Sequence, residues 1–110
     1  MEENELISEK IQHIKDAILK YVPARYIYLF GSYAYGNATS SSDIDIYAVI
    51  PDEAKEDFFL YAKIIRELAN IDIYEIDLIL KTESKFNYRK TRSLFEKIIC
   101  EKGKLIHECL

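Results

Sequence analysis

Gly31-Ser32-Tyr33-Ala34-Tyr35-Gly36-Asn37-Ala38-Thr39-Ser40-Ser41-Ser42-Asp43-Ile44-Asp45 sets a Gly-Ser pair ten residues ahead of an Asp-x-Asp pair. Before it, Arg25 to Phe30 is a run of aromatic and β-branched residues that reads as a short strand closed by Gly31. After it, Asp43 to Ile50 alternates: Ile44, Ile46, Ala48 and Ile50 share one face, and Asp43, Asp45, Tyr47 and Val49 share the other. The segment is therefore strand, tight turn, strand, with an apolar side and a carboxylate-bearing side on the second strand.

Working outward, Asn4 is the expected cap of a first helix whose residues Ile7, Ile11, Ile14, Ile18 and Val22 recur at helical spacing until Pro23 stops it. Downstream, Pro51 and Asp52 are expected to open a second helix with Phe58, Ala62, Ile65 and Ala69 facing inward and Asn70 ending it. Ile71 to Leu80 reads as a further strand, with Tyr74, Ile76, Leu78 and Leu80 on the apolar face and Glu75 and Asp77 opposite. Thr82 to Arg92 reads as a polar, basic connection. Ser93 with Glu96 forms a capping box for a third helix, which Gly103 ends before a short edge strand over residues 105–107. This order of elements implies an α/β (α+β) fold, a small mixed β-sheet flanked by helices, as a single domain over residues 1–110.

Composition narrows the function classes. The chain has 110 residues, 49% hydrophobic and 31% charged, the balance of a packed globular domain rather than a disordered tail. No apolar run approaches the roughly 20 residues of a membrane helix, and the acidic start Met1-Glu2-Glu3-Asn4-Glu5 is unlike a signal peptide, so a cytoplasmic protein is expected. A net charge of −4 gives no indication of nucleic-acid binding through an overall field. Cys100 and Cys109 make no disulfide framework, and His107 with Cys109 reads as incidental rather than as a metal pair.

The chemistry concentrates around the Gly-Ser turn. Gly31 permits a sharp backbone turn, so that amides of the following helical turn and the Ser32 hydroxyl can meet phosphate oxygens. Residues two apart on a strand project from one face about 6.5 Å apart, which lets Asp43 and Asp45 converge on one hard cation. Asp77, among apolar neighbours, calls for a partner if buried, and a metal shared with Asp45 would supply one. Glu75 and Asp72 remain alternatives for the third ligand if the register differs. Two cations about 3.5–4 Å apart suit an in-line displacement at phosphorus, with Asp77 helping to activate the acceptor hydroxyl. By average composition such a motif arises by chance in roughly one chain of this length per several hundred to a thousand. Its placement between two strands, with a third acid in another apolar strand, is what makes it informative.

With these residues in place, the chain resembles the minimal nucleotidyltransferases of the polymerase-β-like superfamily, whose signature is this Gly-Ser-x10-Asp-x-Asp spacing followed by an Asp in a later strand. The stretch from Ile76 to Thr82, then Phe86, the capped helix and Gly103 to Glu108 also resemble that family's C-terminal half, which favours Asp77 over Asp72. The resemblance implies transfer of AMP from ATP, with Gly31 and Ser32 at the phosphates and Asp43, Asp45 and Asp77 at Mg²⁺. It also implies an antitoxin role, since members pair with helical HEPN-type toxins and some add AMP to a tyrosine of that partner. About 110 residues leave little chain for a second substrate-binding domain, so a macromolecular acceptor is expected to complete the site. Rival readings are a binding module that inhibits its partner without catalysis, and transfer to a small molecule such as an aminoglycoside. Lys81, Lys85, Arg89, Lys90 and Arg92 reverse the local charge; they suit a triphosphate, an acidic partner or simply a solvated loop.

Overall fold

The computed structural model describes the backbone of residues 2–39 and 41–109, and the side chains from residue 6 onward within those ranges. The order is α1 (Glu2–Tyr21), β1 (Tyr26–Phe30), α2 (Ser32–Tyr35), β2 (Ile44–Ile50), a 3₁₀ turn (Asp52–Ala54), α3 (Phe58–Ala69), β3 (Ile76–Thr82), α4 (Glu83–Arg89), α5 (Leu94–Lys102) and β4 (Lys104–Glu108). The strands form one sheet in the order β3-β2-β1-β4. β1 runs antiparallel to β2 and β4, whereas β2 and β3 are parallel. A parallel pair requires a crossover, and α3 supplies it. The mixed sheet flanked by helices agrees with the alternation of the sequence.

Both sheet faces are covered. Ile27, Leu29, Ile44, Ile46, Ala48, Ile50 and Leu78 point to one face, where Ile14, Ala17 and Ile18 of α1 and Ile64 and Leu68 of α3 pack on them. Tyr47 and Val49 point to the opposite face and meet Phe86 of α4 and Ile99 of α5, with Tyr26, Tyr28 and Phe30 around them. The side of β2 that carries carboxylates at its start is thus buried further along, and only its N-terminal end is partly open.

Several local expectations are corrected. α1 starts at Glu2, so Asn4 lies within the helix rather than ahead of it; its side chain is outside the described residues. Glutamates are good helix formers and carry the helix back past Asn4. The second helix begins not at Asp52 but at Phe58, where the Asp57 carboxylate accepts a hydrogen bond from Leu60 N at 2.8 Å. That shift rotates the inward stripe to Ile64 and Leu68 and leaves Phe58 exposed. Residues 71–75 form no strand: Asn70 to Asp72 turn with Asp72 at φ 61°, and Tyr74 is exposed.

The basic stretch after β3 is a helix, α4, not a loop, because Phe86 is buried against the sheet and anchors it. Two remote carboxylates satisfy its first amides: Glu56 accepts from Thr82 N at 2.6 Å and Asp52 accepts from Ser84 N at 2.9 Å. Lys85 pairs with Glu56 at 3.0 Å, Arg89 pairs with Glu96 at 2.9 Å, and the Arg92 guanidinium lies 4.0 Å from the Tyr88 ring centroid. Much of the apparent charge reversal is therefore used inside the fold.

Ser93 is the N-cap of α5, but Glu96 does not close a capping box. Its side chain is fully buried, and Oε2 accepts hydrogen bonds from the Tyr47 hydroxyl at 2.8 Å and from Arg89 Nε at 2.9 Å. The acid serves tertiary structure, tying α4 and α5 to β2. β4 falls where the edge strand is expected and pairs with β1.

Candidate active site

β1 ends at Phe30, directly opposite Asp45 of β2. The next residue, Gly31, has φ 70°, and α2 follows at once, its first turn closed by hydrogen bonds of 3.0 Å from Ala34 N and Tyr35 N to Gly31 O. A Cβ built on Gly31 would lie 1.9 Å from Asp45 Oδ2. Glycine is therefore required here twice, for its left-handed backbone and for the carboxylate packed against its Cα. The sequence shows the first reason; the second depends on strand register.

On the other side of β2, Asp45 is the register partner of Asp77 on the parallel strand β3. Neighbouring strands lie about 4.8 Å apart and directly paired residues share a face, so the two carboxylates stand side by side. Asp43 lies just before β2. Asp45 is half-buried, whereas Asp43 and Asp77 are exposed. Exposure of Asp77 corrects the premise that an apolar strand would bury it, because β3 is an edge strand whose outer face is open at that point. Burial first, and then the Asp77 and Asp43 carboxylates, push the Asp45 carboxyl above the usual carboxylate range.

No side-chain cation pairs with Asp43, Asp45 or Asp77 among the described residues. Nor, among those residues, do three such side chains already close around one point as a preformed metal cage. An open, uncompensated set of carboxylates fits Mg²⁺, which binds through one or two carboxylates and completes its shell with water and substrate phosphates. Of the alternative acids, Asp72 sits in the turn after α3, and Glu75 lies instead against a cavity of about 680 Å³ beside Ser32. Lys10, Thr39 and Ser42 line the same cavity and were not singled out by the sequence. The available signal was a lysine on the inward stripe of α1.

A Gly-Ser turn at the end of one strand, set against acids on two adjacent strands, defines the class: a nucleotidyltransferase domain. The family model described as nucleotidyltransferase domain matches residues 11–100, and the chain belongs to that family. It is 35% identical over 93 residues to the "putative protein adenylyltransferase" of Methanocaldococcus jannaschii, spanning 84% of this chain and 92% of that protein. Among solved structures, a chain from a toxin-antitoxin crystallised with AMP-PNP superposes with TM-score 0.60 at 24% identity, covering 89% of this chain and 73% of that one. A "putative nucleotidyltransferase" from Sulfolobus solfataricus superposes with TM-score 0.54 at 21% identity, covering 93% and 86%. At those identities the two structures bear on the fold alone. The chain is thus a nucleotidyltransferase of mixed α/β architecture, and among the described residues no helix is long and apolar enough to cross a membrane.

Proposed function

We propose that this nucleotidyltransferase moves AMP from ATP to a hydroxyl of a protein partner, with Asp43, Asp45 and Asp77 holding Mg²⁺ and Gly31 and Ser32 at the phosphates. The observation that carries this reading is the pairing of Asp45 with Asp77 on adjacent strands, next to the turn at Gly31. Mg²⁺ held by these carboxylates would neutralise charge on the triphosphate. The Ser32 hydroxyl donates a hydrogen bond to a phosphate oxygen. Asp77, exposed beside Asp45, accepts the proton of the incoming hydroxyl. The acceptor oxygen forms a bond to the α-phosphorus, and the bond to the departing pyrophosphate breaks.

A protein acceptor is supported by the relative described as a protein adenylyltransferase and by the structural neighbour that is part of a toxin-antitoxin. Residues 1–110 act as one nucleotidyltransferase domain in this reading. The partner that completes the site is a helical HEPN-type toxin, the chain serves as its antitoxin, and the reaction takes place in the cytoplasm. Incubation of ATP labelled at the α-phosphate with Mg²⁺ and the co-purifying partner is expected to label the partner by one nucleotide. Asp45→Asn should abolish that label with the circular dichroism spectrum unchanged; full activity in this variant would sink the assignment.

The toxin-antitoxin neighbour also favours a second reading, inhibition by surface complementarity alone. An Asp43→Asn/Asp45→Asn double variant that neutralises the partner as well as the parent would decide for it.

A further inference from the structure

α1 lays Ile14, Ala17 and Ile18 into the core, and Ile7 and Ile11 pack against the same cluster. Lys10 stands three residues after Ile7 and four before Ile14, on that inward-facing stripe. A lysine there is unusual, since its ammonium must reach water or an anion. It is half-buried and has no ion pair among the described residues. What it faces is the cavity of about 680 Å³ between α1, α2 and the loop before β2, whose polar lining includes Ser32, Thr39, Ser42 and Glu75.

That volume is within the range of small-ligand sites. The loop is held in shape by Thr39 N donating to Ser42 Oγ at 2.9 Å and Ser42 N donating to Thr39 O at 3.1 Å. Ser32 belongs to the turn beside Asp45, and Ser42 immediately precedes Asp43, so the cavity adjoins the acidic site. One ammonium and the aliphatic hydroxyls of Ser32, Thr39 and Ser42 suit a phosphate chain more than a nucleobase. Glu75 is the acid in the lining and restricts the anion to the side of Lys10 and Ser32.

We propose that Lys10, with Thr39 and Ser42, binds the terminal phosphates of the nucleoside triphosphate and holds the pyrophosphate as it leaves. The inference rests on the transfer reaction proposed above and adds the cation that reaction needs on the side away from the carboxylates. As the bond to the α-phosphorus breaks, negative charge grows on the departing oxygen, and an ammonium on that side stabilises it.

The test is calorimetric titration of the full chain, with Mg²⁺, using ATP, AMP and inorganic pyrophosphate as separate probes. Lys10→Met keeps the aliphatic stem and removes the charge. It is expected to weaken ATP and pyrophosphate by roughly 10- to 100-fold while AMP changes less than about twofold, and Lys10→Arg should recover most of the loss. Thr39→Val with Ser42→Ala is an independent check that leaves α1 untouched, with the same selective loss in smaller measure. Equal weakening of ATP and AMP would assign the cavity to the nucleoside and overturn the proposal, as would unchanged pyrophosphate binding in both sets of variants. A parent chain that binds neither ATP nor pyrophosphate would instead overturn the transfer reaction itself.

Discussion

Glu96→Gln offers a direct measurement of what holds α4 and α5 to the sheet. The Glu96 side chain is 1% exposed; Oε2 accepts from Tyr47 and Arg89, while Oε1 has no partner. Burial pushes this carboxyl up, but the hydrogen bonds from Arg89 and Tyr47, with the nearby Ser93 hydroxyl, outweigh it and hold the group at about 2, below its ordinary 4.5. A depression of that size corresponds to roughly 3 kcal/mol favouring the ionised folded state. Because the folded value is the lower one, this stability is present above pH 4.5 and is lost as pH falls towards 2. Glutamine keeps a carbonyl acceptor for Tyr47 and Arg89 but no charge, so most of that stability, about 2–3 kcal/mol, should disappear at pH 7. For a domain of this size the melting temperature should drop by roughly 10–20 °C. Urea unfolding followed by far-ultraviolet circular dichroism at pH 7, 5.5, 4 and 3 measures it. The gap between parent and variant should stay constant down to about pH 5 and then narrow. A variant as stable as the parent at pH 7 would refute the reasoning, since the cost of burying the ion would then cancel its pairing. A gap of constant size down to pH 3 would refute it differently, by showing that the charge is not what matters.

Two glycines with positive φ separate backbone strain from steric contact. Gly31→Ala, whose new methyl would meet Asp45 Oδ2, should destabilise the fold by about 2 kcal/mol or more and abolish transfer. Gly36→Ala, at φ 85° with nothing within 4 Å, should cost only about 1 kcal/mol and leave most activity; thermal melts and the labelling assay read both. Added Mg²⁺ should raise the melting temperature of the parent and not of Asp45→Asn. Since the Asp45 carboxyl is raised in the fold, its ionisation makes the fold less stable as pH rises through its titration, and a bound cation relieves that cost. The Mg²⁺-induced shift in a melting series from pH 4.5 to 7.5 should therefore grow with pH, and a shift independent of pH would count against the cation site.

The sheet was legible where periodicity and a covered face coincide. Ile44, Ile46, Ala48 and Ile50 alternate because one side of β2 packs on α1 and α3, and that is the core observed. Sequence reading was misled where local patterns had tertiary uses. Ser93 and Glu96 have capping-box spacing, yet Glu96 is recruited by Tyr47 and Arg89, residues 49 and 7 positions away. Asp52 precedes the true helix start by a 3₁₀ turn, and its carboxylate serves α4 instead. Asp43 and Asp45 stood out as candidates by spacing and alternation, whereas Asp77 was preferred to Glu75 and Asp72 through the family resemblance. That Asp45 packs on Gly31 was not readable, because the contact follows from the pairing of Phe30 with Asp45 across β1 and β2. Lys10 escaped notice because a helical stripe is read from its apolar members, and its one cation has meaning only once the cavity beside Ser32 is known.

The alignment of Asp45 with Asp77 makes the molecule unequally tolerant of changes in length. Between the two acids lie the segments flanking α3, where exposed positions such as Glu53 and Lys55 before the helix, or Ile71 and Asp72 after it, leave room for an added residue outside either strand. One residue inserted between Ile76 and Asp77 would have a different outcome. If the apolar start of β3 kept its seat, every later side chain of the strand would swing to the reverse surface, and Asp77 would face the layer of α1 and α3. Drift in chain length can thus accumulate around the crossover helix, whereas within β3 an odd step turns Asp77 to the other face and an even step, though it keeps the face, carries Asp77 two positions out of register with Asp45.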